Sequence, residues 1–244
     1  MTASEISVSE ATLEQLRHVS TATLTTQLFK RGLRNVFLQG VAPLVKPVPG
    51  APNVVGPAFT LRNIPAREDL DHVGVFQDPD HPQRKAVETA PPGSVLVQDC
   101  RGERAVASVG SILALRLAKR RVAGMVSDGP VRDSGTIAEL GLPIWCAGAS
   151  APLNLAKHHA VDMNVPIACG GVPVYPGDIV VADVDGVVIV PREMAAEVAR
   201  DAAEQEQLEA FITQRIEEGR PLRGTYPPNE ETLAAYAQWR AQKQ

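Results

Sequence analysis

The spacing of apolar residues changes several times along the chain, and each change marks an element. Leu13, Leu16, Val19, Leu24, Leu28 and Phe29 keep helical spacings between Ser9 and Gly32, with a polar interruption at Ser20-Thr21-Ala22-Thr23. Two helices with a polar joint follow, Ser9 capping the first and the joint's hydroxyls capping the second. Pro43, Pro47, Pro49 and Pro52 make residues 41–53 an extended connection. Val54 to Arg62 reads as a strand in which Gly56-Pro57 marks a bulge or an edge. Asp69 to Val75 reads as a short helix and Gln83 to Ala90 as one or two helical turns, with the turn-forming run Phe76 to Pro82 between them. Lone histidines in this region, His72 and His81, read as solvated polar groups.

Ser94 to Asp99 is a short strand. The apolar positions from Val106 to Ala118 then predict a helix over 105–119, although Gly110 fits better as its start than inside it. Val122 to Ser127 is a buried strand stopped by Asp128-Gly129-Pro130. Ser134 is the predicted N-cap of a short helix with Ile137 and Leu140 on one face, ending at Gly141. This is a βαβ unit, and Arg132 and Asp133 fall between a strand end and a helix start, where α/β sheets carry their sites. A guanidinium fork beside a carboxylate suits the holding of an anionic oxygen and a hard cation; it also suits mere helix capping. Pro143 to Ala147 and Val161 to Ala168 are further strands, and the adjacent His158 and His159 point to opposite faces and form no joint site. After the turn-rich Gly170 to Asp178, Asp185-Gly186 between two β-branched runs predicts a hairpin over 179–191. Arg192 to Gly219 predicts one long amphipathic helix. Pro221 to Pro228 is a linker, and Glu230 to Gln242 a last helix whose Tyr236 and Trp239 pack on the body or on a neighbouring subunit.

These elements suggest an α/β core over 41–191, N-terminal helices within 1–40 packed on it, and a helical C-terminal extension over 192–244. A formal net charge of -4 supplies no basic field, which argues against nucleic acid as a partner. No apolar run approaches the ~20 residues of a membrane span, and Met1 to Glu10 is polar and acidic rather than a leader, so a cytoplasmic protein is expected. Cys100, Cys146 and Cys169 are widely spaced, as expected of reduced, buried thiols. Neither a glycine-rich dinucleotide fingerprint nor a P-loop, nucleophile elbow or H-E-x-x-H occurs.

Four pieces in fixed order then carry a resemblance: Gly-x-x-Leu at Gly110 to Leu113, D-G-x-x-R-D at Asp128 to Asp133, G-G-V-x-V-x-P-G-D closing on Asp178, and A-D-x-D-G-V-V-x-V-P from Ala182 to Pro191. The segment Val95 to Pro191 resembles the family that groups 4-hydroxy-4-methyl-2-oxoglutarate aldolases and 4-carboxy-4-hydroxy-2-oxoadipate aldolases with RraA-type regulators of ribonuclease E. The resemblance implies a swivelling β/β/α domain, assembled as a homotrimer or homohexamer with sites between subunits. It implies a class II lyase that takes a small 2-oxo acid, releasing pyruvate by retro-aldol cleavage or decarboxylating an oxaloacetate-like acid, with magnesium, or manganese, as cofactor. Asp133 would hold the metal, Arg132 the keto or enolate oxygen, and the backbone of Gly110, Ser111, Ile112 and Leu113 the substrate carboxylate. One position departs from the pattern. Ser111 stands where the characterised aldolases usually have an acid, and Glu103 from the nearby loop or Glu193 across an interface would have to replace it. The regulators generally lack the aspartate of the R-D pair, which favours an enzyme here. A dehydratase or isomerase of 2-keto-3-deoxy sugar acids, and a non-catalytic ribonuclease regulator, are the alternatives.

Overall fold

The computed structural model describes residues 8–242, so most of the polar start Met1 to Glu10 lies outside the described residues. The two N-terminal helices are α1 (Glu10–Leu16) and α2 (Thr21–Lys30). Ser9 accepts from the Thr12 amide and Ser20 from the Thr23 amide, so the polar joint caps the second helix.

The fold is a mixed α/β domain built around one eight-stranded sheet. Its organising strand is β2 (Val54–Pro65), after the two-residue β1 (Ala42–Pro43). Residues 58–62 of β2 run parallel to β3 (Val95–Asp99), which is followed across the sheet by parallel β4 (Gly124–Ser127) and β5 (Ile144–Cys146), with β1 antiparallel at that edge. On its other side β2 pairs antiparallel with two strands in succession. Residues 54–57 meet β9 (Ile179–Ala182), which continues into β10 (Val187–Val190), and residues 61–65 meet β6 (His158–Met163). Gly56-Pro57 therefore lies in paired strand, and the register shift comes later, between Arg62 and Asn63. A Cβ at Gly56 would stand 2.2 Å from the Gly93 carbonyl oxygen, so close backbone approach is what requires glycine there. A separate pair, β7 (Ile167–Cys169) and β8 (Val172–Val174), packs on the sheet.

All residues of β3 and β4 are buried, as expected of parallel strands covered on both faces. One face carries α3 (Pro82–Thr89), α4 (Ser111–Lys119) and α5 (Ser134–Ala138), with Leu96, Met125, Leu117 and Ile137 at the centre of that core. The other core joins Val97, Val126 and Trp145 to β7, β8 and β9. A third joins Leu16, Leu24 and Leu28 to Val181, Val188 and Val190, and to Val198 and Ala202 of α6 (Ala195–Glu217). Beyond a kinked turn, α7 (Leu222–Thr225), the last helix α8 (Glu230–Ala241) folds back on α6. The rings of Tyr236 and Trp239 lie 5.7 and 5.5 Å from that of Phe211, so this aromatic pair packs on its own chain.

Five boundaries differ from those expected. The helix predicted from 105 starts at Ser111, because residues 105–110 are held as irregular chain: Ser108 donates through both its amide and its hydroxyl to the Pro130 carbonyl, and Val109 bridges Val131. Val106 and Val109 are buried by that bracing rather than by a helix face. The strand predicted over Val161 to Ala168 is broken at Asn164 (φ 55) into β6 and β7. The turn-rich run 170–178 contains β8. The helix expected at Asp69 to Val75 is a 3-10 turn at Val73–Gln77. The cap of α5 is Asp133, not Ser134. His81 is buried against the edge of Phe76 rather than solvated, whereas His72 is exposed.

Gly56→Ala drives a methyl group into backbone, an overpacking cost of about 1–3 kcal/mol, and a thermal melt should show Tm falling by roughly 2–12 °C. Burial, helped by the Arg101 charge, pushes His158 down to about 4. The unfolded chain then takes up a proton between pH 6.5 and 4 that the native state refuses, so this contribution to stability is present above pH 6.5 and lost as pH falls toward 4. Melts from pH 7.5 to 4.5 should show that decline in Tm, with a shallower slope in His158→Gln.

Candidate active site

The turn after β4 is fixed by a buried carboxylate. Asp128 accepts from the amides of Cys100 at 2.6 Å, Gly102 at 2.9 Å and Gly170 at 3.3 Å, tying the loops after β3 and β7 to the end of β4. Burial pushes its pKa up, and the amide donors oppose that shift. Gly129 follows because a Cβ there would stand 2.8 Å from Cys100 Cβ. The chain beyond is stitched into a minor ladder: Val131 bridges Val109 and Ala149, and the Arg132 amide donates to the Val109 carbonyl. Arg132 and Asp133 therefore leave a rigid edge.

Asp133 adopts the left-handed conformation (φ 57, ψ 35), which turns its side chain away from α5. It makes no capping bond to that helix. Its Oδ2 instead accepts from the amide and the hydroxyl of Ser111, each at 3.1 Å, at the start of α4. Gly110, the N-cap of α4, has no side chain to do that work, and a Cβ there would stand 2.9 Å from Asp133 Oδ2 and 3.1 Å from Arg132 Cγ. Gly110 is thus the position that lets the pair reach the helix. The Ser111 amide bond is the largest influence holding the Asp133 carboxyl below its usual range; the Ser111 hydroxyl and the Arg132 charge act in the same direction. Arg132 Nε lies 3.7 Å from Asp133 Oδ1, and both side chains are about 40% exposed. The structure thus brings together the six residues that the resemblance assigns to the site: Gly110, Ser111, Ile112, Leu113, Arg132 and Asp133 line one cavity of about 320 Å³. Helix geometry leaves the Ile112 and Leu113 amides, like that of Ser111, without an intrahelical carbonyl.

On the other side of Arg132 and Asp133 lies an open depression of about 650 Å³ lined by Ser134, Thr136 and Ser150. A larger cavity, about 720 Å³, lies elsewhere, under the Pro-rich connection beside Trp145. Its acidic groups are already engaged, Asp183 by Thr21 and Glu206 by Ser20, and it carries neither Arg132 nor Asp133. We therefore place the candidate site at α4.

The proposed stand-ins for an acid at Ser111 do not reach Asp133 within one chain. Glu103 accepts from the Ala105 amide, Glu193 pairs with Arg192, and neither lines this cavity. Among the described residues no three His, Cys, Asp or Glu side chains are grouped to hold a metal. One ionised carboxylate beside a hydroxyl still fits magnesium or manganese, hard cations that keep most of their water and take one or two carboxylates. Residues that sequence reasoning missed share the cavity. Gln83 donates to the Ser108 carbonyl at 2.7 Å and accepts from Asn154 at 3.3 Å, bracing α3 against the site, and Arg84 and Phe76 complete the wall.

This arrangement is that of an α/β protein in which a helix N-terminus, a guanidinium and a carboxylate converge on one small cavity. The chain belongs to the Aldolase/RraA family, the RraA-like family model matching residues 21–189. A Halalkalibacterium halodurans protein provisionally named 4-hydroxy-4-methyl-2-oxoglutarate aldolase is 31% identical over 208 residues, covering 84% of this chain and 90% of that protein. An Aromatoleum aromaticum protein of the same provisional name is 40% identical over 106 residues, 43% of this chain and 66% of its own length. Streptomyces coelicolor RraAS2, described as an unusual member of the RNase ES inhibitor RraA family, has a similar structure with a TM-score of 0.73. It is 34% identical and covered over 96% of its length, and the match takes in 84% of this chain. Among the described residues no helix is long and apolar enough to cross a membrane.

Asp128→Ala strands the amides that Asp128 holds, at a cost of about 1–3 kcal/mol that a urea titration should show as a lower midpoint with unchanged slope.

Proposed function

We propose that this protein is a divalent-metal-dependent lyase acting on a 2-oxo acid, cleaving a 4-hydroxy-2-oxo acid to pyruvate or decarboxylating an oxaloacetate-like acid. The observation that carries the reading is the Asp133 carboxylate, held ionised by the first turn of α4 with the Arg132 guanidinium beside it. The first-turn amides of α4 bind the substrate carboxylate, which sets the 2-oxo group toward Arg132. As the 4-hydroxyl proton passes to water and C4 becomes a carbonyl, the bond between C3 and C4 breaks; its electron pair forms the enolate of pyruvate, which then takes a proton from water at C3. Arg132 donates to that developing oxyanion, and the effect is strongest in the transition state, where the charge appears. Asp133 would hold a divalent cation, which when bound would supply further positive charge for the developing enolate. Ser111 acts as a neutral donor to Asp133, a task that an acid at this position would oppose by repulsion. The pieces missing from one chain fit an assembly of three or six copies, the open depression beside Asp133 leaving room for a neighbour's group such as Glu193.

The similarity to RraAS2 supports a second reading, a regulator that binds a ribonuclease without turnover. Pyruvate release from a panel of 4-hydroxy-2-oxo acids and from oxaloacetate, with magnesium and with EDTA, separates the two. The lyase should be active with magnesium and silent with EDTA, and turnover indifferent to chelation overturns the metal-dependent mechanism.

Asp133→Ala should abolish magnesium-dependent turnover while costing only about 0.5–2 kcal/mol as a lost cap, so size-exclusion profiles should not change. Arg132→Lys keeps the charge and loses the fork, and kcat should fall by about 2–4 kcal/mol of barrier, roughly 30- to 1000-fold.

A further inference from the structure

Arg84 is the unusual residue of the candidate site. It sits on α3, one turn in from a start preorganised by Pro82, and its guanidinium carbon lies 4.3 Å from the centroid of the Phe76 ring. Its Nε is fully buried and has no hydrogen-bond partner, and among the described residues no carboxylate or carbonyl pairs with any of its nitrogens. The acids nearest in sequence are taken or turned elsewhere: Asp80 pairs with Lys85, and Glu88 with Arg116. Burial alone lowers its pKa, with no neighbouring charge opposing the shift, although an arginine remains charged.

A half-buried guanidinium that keeps donors unsatisfied is costly to hold, because removing such a charge from water is repaid only by a partner. Stacking on Phe76 recovers part of that cost and leaves the edge of the fork free, the part that recognises carboxylate or phosphate in bidentate fashion. The cavity that Arg84 lines is the one lined by Gly110 to Leu113, Arg132 and Asp133, and at about 320 Å³ it suits a small acid rather than a cofactor. Two guanidiniums therefore border one small cavity. Arg132 has Asp133 beside it, whereas Arg84 has no anion of its own.

We propose that Arg84 is the specificity residue of this site, binding a second anionic group at the far end of the substrate from the 2-oxo acid. The proposal rests on the reading of Arg132 and α4 as the 2-oxo acid subsite. The chemistry shared by its candidate ligands is a carboxylate or phosphate on the distal carbon. A substrate ending in a methyl group would leave the Arg84 fork dry and unpaired, and binding should discriminate against it on that account. Phe76 fixes the plane of the fork, and Gln83, bonded to the Ser108 carbonyl, fixes the position of α3 relative to the site.

Calorimetric titration of the magnesium-loaded protein with 2-oxoglutarate and with pyruvate tests this without turnover, since neither acid has a 4-hydroxyl group to cleave. Wild type should bind 2-oxoglutarate at least tenfold more tightly than pyruvate. Arg84→Met, which keeps a long side chain against Phe76, should erase that preference and leave pyruvate affinity within twofold of wild type. Arg84→Lys should retain part of the preference. Replacing 2-oxoglutarate with 3-phosphonopyruvate shows whether a phosphonate is taken as well as a carboxylate. Equal wild-type affinity for 2-oxoglutarate and pyruvate, or an equal loss of both in Arg84→Met with an unchanged melt, overturns the role of Arg84 while the 2-oxo acid subsite stands. Failure of the wild-type protein to bind either acid overturns the subsite itself and the proposal with it.

Discussion

The contact between Asp133 and the start of α4 is the constraint on which the site depends. Asp133 Oδ2 approaches Ser111 closely only because Gly110 has no side chain, and only because the left-handed turn at Asp133 aims the carboxylate away from its own helix. A β-branched residue at 133 would resist that conformation, and any side chain at 110 would fill the gap. The result is a carboxylate kept ionised by neutral donors, with the amides of a nine-residue helix next to it. That contact links two parallel strands through their following loops, so the geometry of the sheet sets the geometry of the site.

Behind it stands a bracing layer that does no chemistry. Asp128 holds the loops after β3 and β7 to the end of β4, Ser108 bonds Pro130 twice, and the Val109–Val131–Ala149 bridges extend the sheet past its regular strands. Residues exposed at about 40% thereby gain a fixed direction from Ser108, Val109, Asp128 and Val131, which are almost wholly buried.

Much of this was legible along the chain. Both N-terminal caps, the βαβ unit, the Asp185-Gly186 hairpin and the fit of Gly110 to a helix start follow from local rules, and local hydrogen bonds decide such features. The errors have a common cause in long-range bracing. Val106 and Val109 have helical spacing yet are buried by a loop stapled to Pro130, and β6 ends early because Asn164 turns back to the Thr60 carbonyl. The Ser134 cap was displaced by one residue because Asp133 serves a different helix. In the site, the joining of residues 110–113 with 132 and 133 was legible through a family resemblance, since they are 22 positions apart in sequence. Arg84 and Gln83 were not legible. They lie on a helix whose own pattern marks only its apolar face, and neither buried donors nor a shared cavity leaves a local signal.

The central claim is that the first turn of α4, Arg132 and Asp133 form one subsite for a divalent cation and a 2-oxo acid. A crystal structure of the protein with magnesium and oxalate tests it most directly. The account predicts a cation against the Asp133 carboxylate and oxalate seated on the amides of Ser111 to Leu113 within reach of Arg132. Oxalate bound in another cavity, with Asp133 still closed on Ser111 and free of metal, contradicts it.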